Sequence, residues 1–306
     1  MNKVLVLGAN GYLGSRLALA LADKGYEVVA FVDKRFLYQM LLNHPRINAV
    51  EFVLEHIEDL NSHPSLNGVD TLYHFAWAGV NAQVRNEEEV QVQNVMFGIK
   101  VMEFAARHDI KRVIVPGSAA EVSCGEGVIT GKEISAPSDM YSASKVATRF
   151  VCQTYARLHN IDLIWTLITS IYGPGRNDNN LISYAIQSLL KGEKPSFTGL
   201  EQQWDYLYVE DLLEAMILLG EKGIGGKVYP VGSGEHQQLN RYVEIIRNLI
   251  NSELPVGIGD LPYKNPNKID NQIMDITELK NDTGFTPQWD FEHGIAVVIN
   301  DYKNKK

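Results

Sequence analysis

Short apolar runs alternate with amphipathic stretches through the first half of the chain. Residues 4–7 are apolar without a break, the pattern of a strand buried on both faces. Residues 13–24 then place Leu13, Leu17, Ala20 and Leu21 on one helical face. Further apolar runs predict strands at 28–32, 52–54, 71–75, 113–116 and 163–168, and helical periodicity predicts two long helices at 91–108 and 140–159. Strand–helix alternation of this kind predicts an α/β fold: a doubly wound parallel sheet with helices on both faces. After about Gly173 the pattern breaks, and glycines such as Gly223, Gly225 and Gly226 punctuate it. The expected domains are 1–168 and a smaller C-terminal lobe, 169–306. From that lobe about 205–235 returns to the first domain, with 227–231 as a candidate added strand.

The 306 residues are 45% hydrophobic and 21% charged, which excludes disordered and low-complexity classes. The formal net charge is −9, and the only basic run is the tail from Lys303 to Lys306, so no nucleic-acid partner is expected. No segment reaches 18 apolar residues, and the run at 4–7 is too short for a signal-peptide core, so no membrane association is expected. Two cysteines, Cys124 and Cys152, cannot form a disulfide scaffold, which points to a reduced, cytoplasmic compartment.

The first strand runs into Gly8, Asn10, Gly11, Tyr12, Leu13 and Gly14, at the start of the first helix. Gly8 allows a tight turn, Gly11 lets backbone approach a pyrophosphate at the helix N-terminus, and Gly14 lets helix lie close to strand. Strand, turn and helix together make 1–168 a Rossmann-like, NAD(P)-binding domain. Asp33, about 20 residues on, suits the adenosine ribose hydroxyls and favours NAD, whereas Lys34 and Arg35 could hold the 2′-phosphate of NADP. The cofactor is therefore NAD or NADP. Tyr141 and Lys145 are four apart at the start of the long helix and face the same way. A free phenol has a pKa near 10, and a nearby ammonium lowers it. The lysine can also reach a nicotinamide ribose hydroxyl, so the pair suits a general acid/base beside a hydride donor.

These residues carry a family resemblance. The chain resembles the extended short-chain dehydrogenase/reductases, the nucleotide-sugar epimerases, dehydratases and ketoreductases. The matching pieces are the glycine turn from Gly8 to Gly14, His74 with Phe75 and Ala76, Asn94, Tyr141 with Lys145, Tyr172 through Gly175, and the stretch from Trp204 to Asp211. Together they cover almost the whole chain. The stretch 201–211 and the run Asp270 to Met274 resemble the sugar 4-ketoreductase group.

The resemblance implies that Tyr141 is the catalytic acid/base and Lys145 its partner. It implies that Phe75 and Ala76 line the cofactor groove, that Asn94 supports the cofactor side, and that Tyr172 lies in a loop near nicotinamide and sugar. It also implies a homodimer through the two long helices, where Val92, Val95, Met96, Ile99, Met102, Phe104, Val146, Phe150 and Tyr155 are apolar.

Several positions depart from the family pattern. The family has a Ser or Thr after the fifth strand. Counting back from Val122 that position falls on Ala119, and counting from the strand end it falls on Ser118, the expected donor. Otherwise Ser123 or a water supplies the bond. The Asp-Glu pair of the dehydratases is absent, because Ala120 precedes Glu121. Trp204 stands where an arginine often contacts the nucleotide phosphate, and Arg176 or Lys268 could replace it. Trp77 either walls the sugar pocket or fills core beside the cofactor. The expected activity is an NAD(P)-dependent 4-ketoreductase of a nucleotide-activated sugar. A nucleotide-sugar 4-epimerase with bound NAD is the alternative, and a non-catalytic NAD(P) sensor a further one.

Overall fold

A computed structural model of the chain describes residues 1–33, 41, 43–81, 83–122, 127–176, 180–263 and 270–305. Lys34 and Lys268 lie outside the described residues. The glycine turn joins β1 (Lys3–Leu7) to α1 (Tyr12–Asp23), which is followed by β2 (Glu27–Asp33), β3 (Ile47–Phe52) and β4 (Thr71–His74). Then come α2 (Glu88–Arg107), β5 (Arg112–Pro116), α3 (Met140–His159) and β6 (Asp162–Ile168). The remainder contains β7 (Ser170–Tyr172), α4 (Leu181–Leu190), β8 (Gln203–Trp204), β9 (Tyr206–Tyr208), α5 (Val209–Lys222), β10 (Val228–Val231), β11 (Gln237–Gln238), α6 (Leu239–Asn251), α7 (Thr277–Thr283) and α8 (Phe291–Asn304).

Seven strands form one sheet in the order β10-β6-β5-β4-β1-β2-β3, all pairs parallel. Residues 4–7 are wholly buried, as the central position of β1 requires. The order reverses between β1 and β4, and the region beyond their C-terminal ends is the usual ligand site of such a sheet. The strand expected at 52–54 lies earlier, at Ile47–Phe52. It is the sheet edge and alternates exposed with buried positions, so it lacks the continuous apolar run of a central strand.

Asp139 fixes the start of α3: its carboxylate accepts from Ser142 N and Ser142 Oγ, both at 2.8 Å. That cap sets Tyr141 in the first turn and Lys145 one turn further on, against the end of β5. Beyond β6, the rings of Tyr172, Tyr206, Tyr242 and Phe291 pack together, with Tyr206–Tyr242 centroids 4.9 Å apart and Tyr172–Phe291 5.0 Å apart. This cluster joins β7, β9, α6 and α8. Among the described residues no helix is long and apolar enough to cross a membrane.

Candidate active site

The glycine turn sits at the sheet's reversal point. Gly8 has φ +78, and a Cβ there would stand 2.6 Å from Ala76 N, so only glycine fits. That approach brings the loop after β4, with Phe75 and Ala76, against the turn, and Phe75 N donates to Leu7 O at 2.9 Å. A Cβ on Gly14 would fall 2.2 Å from Gly8 O. Gly11 differs. It is the N-cap of α1 with φ −75 and ψ 165, and its Cβ would meet only Gly8 O, at 3.3 Å. No side chain caps this helix and its first turn carries no acid. A helix N-terminus, whose first-turn N–H groups have no partner within the helix, beside an unobstructed Gly11 suits a pyrophosphate. Asn10 braces the turn, with Nδ2 donating to Asp33 O at 3.0 Å and Oδ1 accepting from Asp33 N at 3.3 Å. This puts Asp33, at the end of β2, beside the turn.

Tyr12 and Leu13 are half-buried on the first turn. The Tyr12 hydroxyl donates to Pro174 O at 3.2 Å and Arg16 lies over its ring at 4.1 Å. These contacts dock the loop after β7 onto α1. Asn94 is buried and clamps the other loop: its Oδ1 accepts from Ala78 N at 3.0 Å and its Nδ2 donates to Ala78 O at 2.9 Å. It therefore holds the backbone just past Phe75, Ala76 and Trp77.

Ser118, Tyr141 and Lys145 converge beyond β5. Burial pushes the Tyr141 phenol pKa up, and the nearby Ser118 side chain opposes that shift. Ala119 is buried. The Lys145 ammonium donates to Pro116 O at 2.8 Å and lies 3.6 Å from the centre of the Trp77 indole. Burial holds the Lys145 pKa below the ordinary lysine value, opposed by the Glu121 carboxylate. Trp77 also meets the Tyr141 ring edge-on, with centroids 6.2 Å apart, and its Nε1 is buried without a partner among the described residues. Beneath them His74 is pushed down to about 3 by burial and by Lys145, so it is neutral.

Glu121 does not face outward. Its Oε1 accepts from Ser118 N at 2.9 Å and from Trp165 Nε1 at 3.0 Å, and its Oε2 pairs with Arg149 at 3.3 Å. The pair is buried, and it braces the Ser118 turn from below. Burial raises the Glu121 carboxyl and Arg149 opposes that shift.

Tyr172 and Arg176 are placed differently. Tyr172 is buried in the aromatic cluster, and its hydroxyl donates to Asp290 O at 3.3 Å. This geometry corrects the expectation of Tyr172 beside the sugar: the tyrosine is a packing residue. Arg176 turns back onto its own loop and donates to Ile171 O, with its guanidinium 6.0 Å from the Tyr12 ring. Sequence reading missed Arg149, Trp165 and Arg85. Arg85 stacks 4.9 Å from the Tyr141 ring centre from a polar segment with no distinguishing pattern. Among the described residues no His, Cys, Asp and Glu cluster could hold a metal ion.

A parallel seven-stranded sheet with a glycine turn at its reversal point defines a Rossmann-like dinucleotide fold. The family model described as "NAD dependent epimerase/dehydratase family" matches residues 4–232, and the chain belongs to that family as one of its enzymes. Among relatives, the dTDP-glucose 4,6-dehydratase of Streptomyces antibioticus is 27% identical over 316 residues, 99% of this chain and 93% of its own. Among solved structures, the UDP-N-acetylglucosamine 4-epimerase of Methanobrevibacter ruminantium M1, in complex with UDP-N-acetylmuramic acid, is 23% identical. It covers 100% of this chain and 99% of its own, with a TM-score of 0.87. The UDP-glucuronic acid 4-epimerase of Bacillus cereus, in complex with UDP-glucuronic acid and NAD, is 19% identical. It covers 99% and 100%, with a TM-score of 0.86. At these identities the two structures establish the fold.

Proposed function

We propose that the chain is an NAD(P)-dependent oxidoreductase acting at carbon 4 of a nucleotide-activated sugar, as a 4-ketoreductase. The observation that carries this reading is the convergence of Ser118, Tyr141 and Lys145 at the end of β5. The open N-terminus of α1, with Gly11 and the Asn10–Asp33 brace, supports a bound dinucleotide. Asp33 favours NAD over NADP.

When bound, the nicotinamide supplies the hydride. The chain's own part is the proton. Tyr141 gives its hydroxyl proton to the developing alkoxide at carbon 4, and Ser118 holds the phenol oxygen as negative charge appears on it. Lys145 stabilises that charge from one turn away, and Trp77 keeps water from the ammonium, which strengthens the effect. Asn94 keeps Phe75, Ala76 and Trp77 in place through the Ala78 backbone. The lobe after β6 would take the nucleotide.

Loss of water from the sugar has no support in the site. No aspartate precedes Glu121, and the glutamate is committed to Ser118, Trp165 and Arg149. The 4-epimerase reading keeps its place, because two of the similar structures are 4-epimerases and the same residues serve both directions of transfer. We also propose a cytoplasmic homodimer through α2 and α3. Val92, Met96, Phe150 and Leu158 are exposed there, whereas Met102 and Phe104 are consumed by the core. A monomer mass by light scattering would contradict the dimer.

Oxidation of NADH or NADPH against a panel of nucleotide 4-keto sugars tests the reading. A reductase consumes one reduced cofactor per sugar. An epimerase interconverts 4-hydroxy sugars with no net change in cofactor. Neither activity from folded, cofactor-binding protein would leave the sensor reading in place.

A further inference from the structure

The ring of Tyr141 is enclosed by side chains from four segments. Trp77 meets it edge-on, Ser118 lies near its hydroxyl, and Lys145 stands 5.9 Å from its centre. The fourth is Arg85, whose guanidinium carbon lies 4.9 Å from that centre. Of the two cations near the phenol, the arginine is the closer to the ring.

Arg85 is held there. Its Nη2 pairs with Asp139 Oδ2 at 2.7 Å, and Asp139 is itself fixed as the cap of α3 through its other oxygen. The next residue, Asn86, accepts from Met140 N at 3.1 Å. The segment is thus pinned to the start of α3 at two points, Asp139 and Met140, the two residues that immediately precede Tyr141.

Of the charged groups around the phenol, Arg85 favours the phenolate and Glu121 and Asp139 oppose it, while the Lys145 ammonium stands 5.9 Å from the ring centre. Glu121 is engaged by Arg149 and Asp139 by Arg85 itself. Lys145 is desolvated, so its charge fades at a lower pH than an ordinary lysine's. A guanidinium keeps its proton throughout that range and lies flat on an aromatic face in a way an ammonium does not.

We propose that Arg85 is a positioning residue whose permanent charge, fixed over the ring by Asp139 and Asn86, stabilises the Tyr141 phenolate alongside Lys145. This rests on the acid/base role given to Tyr141 above and names a second cation for that same site.

The test is a titration of Tyr141 in the folded chain, followed by NMR with carbon-13 at tyrosine Cζ. The Tyr141 signal is the one that Tyr141→Phe removes. Arg85→Gln should raise its midpoint by about one unit, and Arg85→Lys should recover most of that shift. The limb of the kcat/KM profile that Tyr141 produces should move by the same amount. Should Arg85→Gln be too unstable to titrate, Arg85→Met keeps the stem over the ring and reads the same quantity. A role confined to bracing the segment would lower melting temperature and leave the midpoint in place, which overturns the proposal. The NMR titration needs no substrate. A shifted midpoint with full turnover in Tyr141→Phe would retire the acid/base reading, while an unmoved midpoint with Tyr141→Phe inactive would retire the Arg85 assignment alone.

Discussion

The Lys145 ammonium lies 3.6 Å from the centre of the Trp77 indole and donates to Pro116 O at 2.8 Å. One face of the charge meets an aromatic ring and the other a carbonyl, in a place that is 5% exposed. Such a lysine is easier to deprotonate than one in water, and its folded-state pKa is depressed.

Stability should therefore depend on pH through this residue. Between the depressed value and the ordinary lysine value of about 10.4, the unfolded chain binds one more proton than the folded chain, so stability rises with pH across that window. Below it the buried ammonium is a cost. Lys145→Met should compare better with the unchanged chain near about pH 6 than near about pH 9, even as it loses activity. Trp77→Ala, which admits water to the ammonium, should flatten the same slope. Thermal melting of the three proteins across that range checks both statements, and parallel curves would contradict them.

Gly11 and Gly14 should separate binding from folding. Gly14→Ala drives a Cβ to 2.2 Å from Gly8 O, which should cost about 1–3 kcal/mol of stability. In Gly11→Val the added Cβ meets only Gly8 O and needs no unusual φ, so the fold should survive with a small loss of cap stability. Its branched side chain stands where a pyrophosphate would approach, so NAD binding by calorimetry should be lost. Equal NAD affinity in folded Gly11→Val would place the dinucleotide elsewhere.

The buried Glu121–Arg149 pair should be costly to break from one side. Glu121→Gln keeps an acceptor for Ser118 N and leaves Arg149 uncompensated, which should cost roughly 3–5 kcal/mol. Adding Arg149→Met should recover much of that loss, because the stranded charge is removed with its partner. Urea denaturation of the single and double variants reads the difference. A double variant no more stable than Glu121→Gln would contradict it.

The central strands were legible because burial on both faces leaves an unbroken apolar run, as at Val4 to Leu7. The edge strand β3 was misplaced because Phe52, Val53 and Leu54 imitate such a run, while the true strand alternates. Tyr172 shows the limit for single residues. A tyrosine in a glycine-rich loop reads as a site residue, yet its ring is spent on Phe291, Tyr206 and Tyr208. The contacts that join Trp77 to Lys145, Glu121 to Arg149 and Arg85 to Tyr141 cross between elements. No local period links them, so only the folded chain reveals them. Lys34 and Lys268 lie outside the described residues.

The account turns on the phenol of Tyr141. Tyr141→Phe removes one hydroxyl and keeps the ring against Trp77 and Arg85, so folding and NAD affinity should hardly change. The measurement is single-turnover hydride transfer with the best nucleotide 4-keto sugar, in the unchanged chain and in this variant. The account predicts a fall of about 10²–10⁴ in that step, the range for loss of a general acid/base. Undiminished transfer in folded Tyr141→Phe, loaded with cofactor, would mean that the proton comes from another group and that the site described here is not the one that reacts.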